Sequence, residues 1–234
     1  MDRLAAADSG ASSGLFRRMA DGVCRRAFSS PEALVYEVTI APAVARVVGP
    51  AVRSRISGSR ALDVGCGGGL IATAIAGAIA GTVLGVDPSS SQVRRFSSRA
   101  SASARFWAIR ARAEALPFGE DEFDAVFSSC AWKHWPDPRL GLAECVRVTR
   151  PGGDLVIVEL DAASTEAEFR QFARTSRVPP GLRSAYVRFA MRTVVGVAPD
   201  ASTLVRSFDG LAVTSPSIER IGNLPFLVAA ATVL

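Results

Sequence analysis

Residues Ala61 to Gly69 read ALDVGCGGG. A short apolar run ends in five residues of which four are glycine. Glycine reaches positive φ freely and carries no Cβ, so such a loop is either a tight turn or bare backbone against which a ligand lies. The sequence on either side decides between the two.

Downstream, short apolar runs alternate with helical stretches. The runs are TVLGVD (82–87), ARFWAI (104–109), FDAVFSS (123–129) and DLVIVEL (154–160), followed by LAVTSPSIERI (211–221) and PFLVAAATVL (225–234). Between them LIATAIAGAIA (70–80), SSSQVRRFSSRA (89–100) and PRLGLAECVRVT (138–149) space their apolar residues near 3.6. Strands alternating with helices imply right-handed crossovers and a largely parallel sheet. The last two runs are joined only by a short link at Asn223 to Pro225, which predicts a closing antiparallel hairpin. The expected fold is α/β, a Rossmann-like, seven-stranded, mostly parallel sheet with helices on both faces and that C-terminal hairpin.

At 234 residues and 49% hydrophobic, the chain supports one sizeable core. Residues 1–14 are small and polar and are expected to be disordered. Residues 15–234 then form one domain. Within it, 15–54 supply N-terminal helices. Ser30 before Pro31 marks one start, and Pro42 is placed to kink or divide the second helix. Residues 161–209 hold two helices' worth of sequence between strands. Thr165 with Glu168 forms a capping-box pattern, and VPPG (178–181) separates the pair. This insertion is expected to cap an acceptor pocket, with Tyr186 and Phe189 contributing to it.

The formal net charge is +5, carried almost entirely by arginine, with Lys133 the only lysine. Those arginines read as spread along the chain, and no basic cluster is interleaved with stacking aromatics, so nucleic acid is not an expected partner. The second helix of the insertion mixes Leu182, Tyr186, Phe189 and Val194 with Arg183, Arg188 and Arg192, leaving a solvated helix, a lid and a membrane-surface helix as readings. No apolar run reaches membrane-spanning length, so stable insertion is not expected. Cys24, Cys66, Cys130 and Cys145 form no CxxC pair, and His134 is the single histidine. Neither a Cys/His zinc site nor a magnesium cluster is expected. Scattered thiols fit a reducing, cytoplasmic setting.

The glycine loop follows a strand and opens a helix, where backbone N–H groups favour polar or anionic ligand groups. Gly67 to Ala72 satisfies a dinucleotide-binding G-x-G-x-x-A, with Asp87 at the usual offset for a ribose-binding acid, so NAD(P) fits the loop alone. Asp63, however, adds a carboxylate beside the cleft. It would oppose a pyrophosphate and favour a cationic ligand bearing an amino or sulfonium group.

LDVGCGGG resembles the first motif of class I S-adenosylmethionine-dependent methyltransferases, an acid followed by x-G-x-G-x-G, here Asp63, Gly65, Gly67 and Gly69. VLGVDPS (83–89) resembles the family's second acidic strand end. AEALPFGEDEFDAVFSS (113–129) and AWKHWPDPRLGLAECVRVTRPGGDLVIVE (131–159) resemble later motifs of the branch that includes ubiquinone and menaquinone methyltransferases. The resemblance runs over about residues 55–160.

It implies S-adenosyl-L-methionine as cofactor and S-adenosyl-L-homocysteine as product. It implies that Gly65, Gly67 and Gly69, with Cys66 between them, pass beneath the methionine part, and that Asp63 meets its amino group. Asp87 would accept from both ribose hydroxyls and Pro88 would lie against the adenine. Ala113 and Glu114 would border the adenine edge, and Ser129 at the fourth strand's exit would complete the cofactor-binding set. Where relatives carry an acid before AEALPF, this chain has Arg112, which cannot accept the adenine amino hydrogen bond; backbone groups or Glu114 would substitute. His134 is the candidate catalytic base for a hydroxyl acceptor, with a purely structural histidine as the alternative. Cys66 reads as a small apolar residue and not a nucleophile. The apolar content of the insertion suggests a small, apolar or lipid-like acceptor. An NAD(P)-dependent oxidoreductase, or a cofactor-binding protein without catalysis, are the competing functions. The number of copies in the assembly is not legible.

Overall fold

A computed structural model describes residues 36–100 and 105–234. The expectations for 1–14, for a helix over 15–27 and for a start at Ser30 lie outside the described residues. Residues 36–39 are helical, and the chain then turns at Ile40 into α1 (Ala41–Arg53), with Pro42 in its first turn. Pro42 thus divides the helix, standing in a first turn where its missing N–H has no intrahelical partner to lose, while Pro50 is carried inside α1.

Seven strands follow in one sheet: β1 (Arg60–Val64), β2 (Thr82–Asp87), β3 (Phe106–Arg110), β4 (Phe123–Ser129), β5 (Thr149–Leu160), β6 (Ser217–Arg220) and β7 (Phe226–Thr232). Their order is β3-β2-β1-β4-β5-β7-β6. β1 to β5 pair in parallel, whereas β7 runs antiparallel to both β5 and β6. The expected hairpin is present, and its second strand inserts between β5 and the first. The six-stranded dinucleotide-binding order lacks such a strand.

Alternate residues of each strand serve opposite layers. Ala61, Val83, Phe127 and Val156 face one core, while Leu62, Val64, Leu84 and Leu155 face the other. The first layer is closed by α1 through Val48 and Val52, by α2 (Leu70–Ala74) through Ile71, and by α3 (Ser90–Ala100) through Phe96. The second is closed by α4 (Pro138–Val148) through Leu142 and Cys145, and by α7 (Ala201–Arg206) through Leu204. Helix α2 stops well short of the stretch 70–80. Beyond Ile75 the chain is turns, with Ile75 and Ile79 still buried, and Gly77 in that stretch lies against the Arg53 guanidinium.

Between β5 and β6 lie α5 (Glu166–Thr175), α6 (Arg183–Thr193) and α7. The Thr165–Glu168 capping box is formed reciprocally. Phe169 and Phe172 anchor α5 on the sheet, Phe172 edge-on to Phe226 of β7.

Candidate active site

The winding reverses between β1 and β4, and the carboxyl ends of β1, β2 and β4 open at that reversal, where open α/β sheets bind ligands. The glycine loop leaves β1 there. Its Gly65 and Cys66 amides both donate to the Val86 carbonyl of β2, and Gly69 N–H donates back to the Cys66 carbonyl. Gly65, Gly67 and Gly69 all take positive φ. They differ in what surrounds them. A side chain at Gly65 would strike Ala131, and one at Gly69 would strike the Phe96 ring. Above Gly67 there is open space. Packing therefore explains two of these glycines, and only Gly67 leaves its face clear for a ligand.

One cavity of about 640 Å³ begins at this loop, within the size range of small-molecule sites. Gly65, Cys66, Gly67, Asp87, Pro88, Ala113, Glu114 and Ser129 all line it. His134, on the single helical turn 132–134 that follows β4, borders its far side. Asp63 sits beneath, in β1 itself, and is 1% exposed. Gly69 lies under the loop, behind Phe96.

Asp87 Oδ2 accepts from Gly67 N–H at 3.0 Å and Oδ1 from Ser89 N–H at 2.8 Å. Each oxygen keeps a further lone pair. Burial raises the Asp87 pKa, partly countered by these two amides. Asp63 is raised more, first by burial and then by the Asp87 charge, and its Oδ2 has no hydrogen-bond partner among the described residues. Ser129 Oγ is orphaned in the same way. A buried and a half-buried carboxylate that form no ion pair among the described residues, beside an open glycine face, are what a cationic amino-acid end would satisfy. The residues present therefore fit S-adenosylmethionine. Burial, Asp63 and Asp87 push the Cys66 thiol up as well, so it is no thiolate nucleophile.

Arg112 and Ala115 pair across a tight turn that brings Ala113 and Glu114 to the cavity. Glu114 Oε1 accepts from Asp137 N–H at 3.2 Å, and Arg112 Nε lies 3.6 Å from its Oε2.

Several lining residues were not legible beforehand. Tyr36 and Glu37 reach the cavity from the helical turn before α1. Glu37 is 8% exposed, pairs with Arg99 at 2.9 Å and packs where Gly68 lacks a side chain. A carboxylate inside the apolar stretch ALVYEVTIA was its only sequence signal. Cys130 lines the cavity with φ +57, and burial lifts its thiol to about 12. Its carbonyl accepts from Lys133 Nζ at 2.9 Å, while the same ammonium meets Glu159 at 2.7 Å, both side chains essentially without exposure. The only lysine thus pins the loop that carries His134. Tyr186 turns inward onto Phe169; burial first, and then Cys130, raises its hydroxyl pKa. Phe189 is 55% exposed and points away, because it lies on the face of α6 opposite buried Val187 and Ala190; its expected place in the pocket is corrected. Among the described residues no group of three or more His, Cys, Asp or Glu is placed to hold a metal, and no helix is long and apolar enough to cross a membrane.

Residues 62–157 match the methyltransferase domain family. The ubiquinone biosynthesis O-methyltransferase of Rhizobium etli is 33% identical over 119 residues, covering 50% of this chain and 48% of that protein. The demethylmenaquinone methyltransferase of Clavibacter sepedonicus is 36% identical over 117 residues, covering 50% and 45%. The chain thus spans about half the length of the curated relatives it matches. A solved S-adenosylmethionine-dependent methyltransferase of Thermotoga maritima, described as a possible histamine N-methyltransferase, shares the fold at TM-score 0.60 and 18% identity, over 94% of this chain and 98% of that one. The dinucleotide alternative is not favoured, given the antiparallel β7 and these matches. Over residues 62–157 the chain is therefore similar to methyltransferase domains.

Proposed function

We propose that the protein transfers a methyl group from S-adenosylmethionine to a hydroxyl of a small, apolar, quinol-like acceptor. The observation that carries this reading is the single cavity running from the glycine loop to His134. Its loop end is polar, with Asp87 and the loop amides. The same lining includes His134, Tyr36, Cys130 and Trp135.

When bound, the cofactor supplies a methyl already activated on a sulfonium. Asp63 would hold the amino group, and Asp87 the ribose, through lone pairs left free by Gly67 and Ser89. Pro88, Ala113 and Glu114 would border the adenine, and Ser129 with Cys66 would close the cofactor side. His134 would accept the proton of the acceptor hydroxyl. Trp135, buried beside the loop, excludes water. Orientation of the two reactants is worth ~7–11 kcal/mol in well-placed systems and is the larger share of catalysis here. Tyr36, Ala41 and Val44 supply one wall of the cavity, and residues 161–209, of which none lines it, would close over the acceptor once bound. Free Cys66, Cys130 and Cys145 support a cytoplasmic setting. Quinone-type acceptors are suggested by the relatives' names.

Incubation with methyl-labelled S-adenosylmethionine and a panel of catechols and demethylated quinols tests the reading. Labelled ether products support it. Labelled amine or carbon products from a wider metabolite extract would replace the hydroxyl acceptor with another nucleophile.

A further inference from the structure

From Phe169 to Pro199 the chain has no carboxylate and six arginines, more than its whole formal net charge of +5. This carboxylate-free stretch of α5, α6 and their link is matched by residues 88–113, which also carry six arginines and no carboxylate. Arg170 is paired with Glu166, and Arg183 donates to the Val178 carbonyl. Arg174, Arg177, Arg188 and Arg192 are exposed, and among the described residues their side chains make no hydrogen bond or ion pair.

The outer face of α6 is Ser184, Ala185, Arg188, Phe189 and Arg192, all exposed, while Val187 and Ala190 are buried on the inner face. Leu182 precedes the helix and lies seven residues, two helical turns, before Phe189, hence on the same face. These two are 60% and 55% exposed, the most exposed large apolar side chains among the described residues before the C-terminal one. Pro179 and Pro180 continue the patch in the link.

We propose that this face docks on an anionic phospholipid surface, Leu182 and Phe189 entering the headgroup boundary while the arginines meet lipid phosphates. Charge complementarity selects the partner. Basic residues around one or two bulky apolar side chains are the pattern of peripheral membrane attachment, and no span is needed. A partner protein would need matching carboxylates, and an exposed phenylalanine among arginines is wasted on a duplex backbone. The same helix packs Tyr186 against Phe169 of α5. The docking itself does not depend on the methyl-transfer reading.

Co-sedimentation of the full chain with vesicles tests this. Equimolar phosphatidylglycerol and phosphatidylcholine vesicles should carry the protein down, pure phosphatidylcholine vesicles should not, and about 0.5 M salt should release it. Each arginine at such a surface contributes about fivefold, so the Arg188→Gln, Arg192→Gln double variant should bind roughly 30-fold more weakly. Phe189→Ser should weaken binding too, and S-adenosylhomocysteine affinity measured by calorimetry should be unchanged in every variant. The proposal is overturned by equal recovery with the two vesicle types, by full binding of the double variant, or by binding to a duplex oligonucleotide without binding to vesicles. A dimer abolished by Phe189→Ser in a protein that ignores vesicles would equally overturn it. The comparison of vesicle types needs no variant and stands even where a substitution unfolds the helix.

Discussion

The backbone N–H of Gly67 donates to Asp87 Oδ2 at 3.0 Å, joining the glycine loop of β1 to the acid that ends β2. The two strongest cofactor signals in the sequence are thus one hydrogen-bonded unit. Asp87→Ala removes both the proposed ribose acceptor and the loop's anchor. Charge-assisted hydrogen bonds contribute roughly 1.5–3 kcal/mol each, so S-adenosylhomocysteine affinity should fall at least about tenfold in calorimetry. Unchanged affinity would remove Asp87 from the site.

Gly67 and Gly69 should respond differently to added side chains. A Cβ on Gly67 meets nothing, so Gly67→Val keeps the fold, less the strain of its positive φ, and loses cofactor binding. Gly69→Val drives into Phe96 and should lower the melting temperature outright. Paired thermal melts and calorimetry separate the two. Normal binding by the Gly67 variant would leave the loop as a turn and nothing more.

Asp63 makes stability depend on pH. Its folded pKa lies above the ordinary 3.8, because burial and then the Asp87 charge disfavour ionisation. A raised carboxyl contributes stability that is present below the unfolded value and lost as pH rises through the folded one. Asp63→Asn should match the wild type near pH 3 and become the more stable protein as pH climbs above about 4. The gap should reach on the order of 1–3 kcal/mol, the cost of an unpaired buried group. Denaturant melts across pH read this directly, and parallel stability curves would contradict it. The same variant should bind S-adenosylmethionine more weakly despite its gain in stability.

His134→Ala should lower the rate of methyl transfer by about 10²–10⁴-fold with little change in S-adenosylhomocysteine affinity. Histidine ordinarily titrates near neutrality. As the base it must be neutral, so the wild-type rate should fall as pH drops through that titration and the variant should lose the dependence. A variant that keeps most of its activity and the same profile would assign His134 a structural role and leave positioning as the whole mechanism.

Tyr186 and Phe189 sit three positions apart on α6, but Tyr186 is half-buried against Phe169 whereas Phe189 is exposed. Tyr186→Ala should raise the KM for the acceptor about tenfold while leaving S-adenosylhomocysteine affinity intact. Phe189→Ala should leave turnover of a water-soluble acceptor unchanged. Steady-state kinetics on both variants checks the assignment, and equal losses would make α6 a folding element only.

Local order was legible because it rests on short-range chemistry. The alternation of apolar runs and helical stretches, the positive-φ loop at 65–69, the acids at 63 and 87 and the capping box at Thr165 are each set by residues within a few positions. What the chain brings together from far away was not. The inward reach of Tyr36 and Glu37, the Lys133–Glu159 pair that pins the loop bearing His134, and the insertion of β7 between β5 and β6 depend on packing between distant segments. The sequence by itself determined the layered parallel sheet and the cofactor loop. Only the tertiary structure decided which glycine faces open space, which carboxylate oxygen is left without a partner, and which side of α6 is buried. Those outcomes turn on excluded volume and desolvation, and both depend on what the rest of the chain places around each residue.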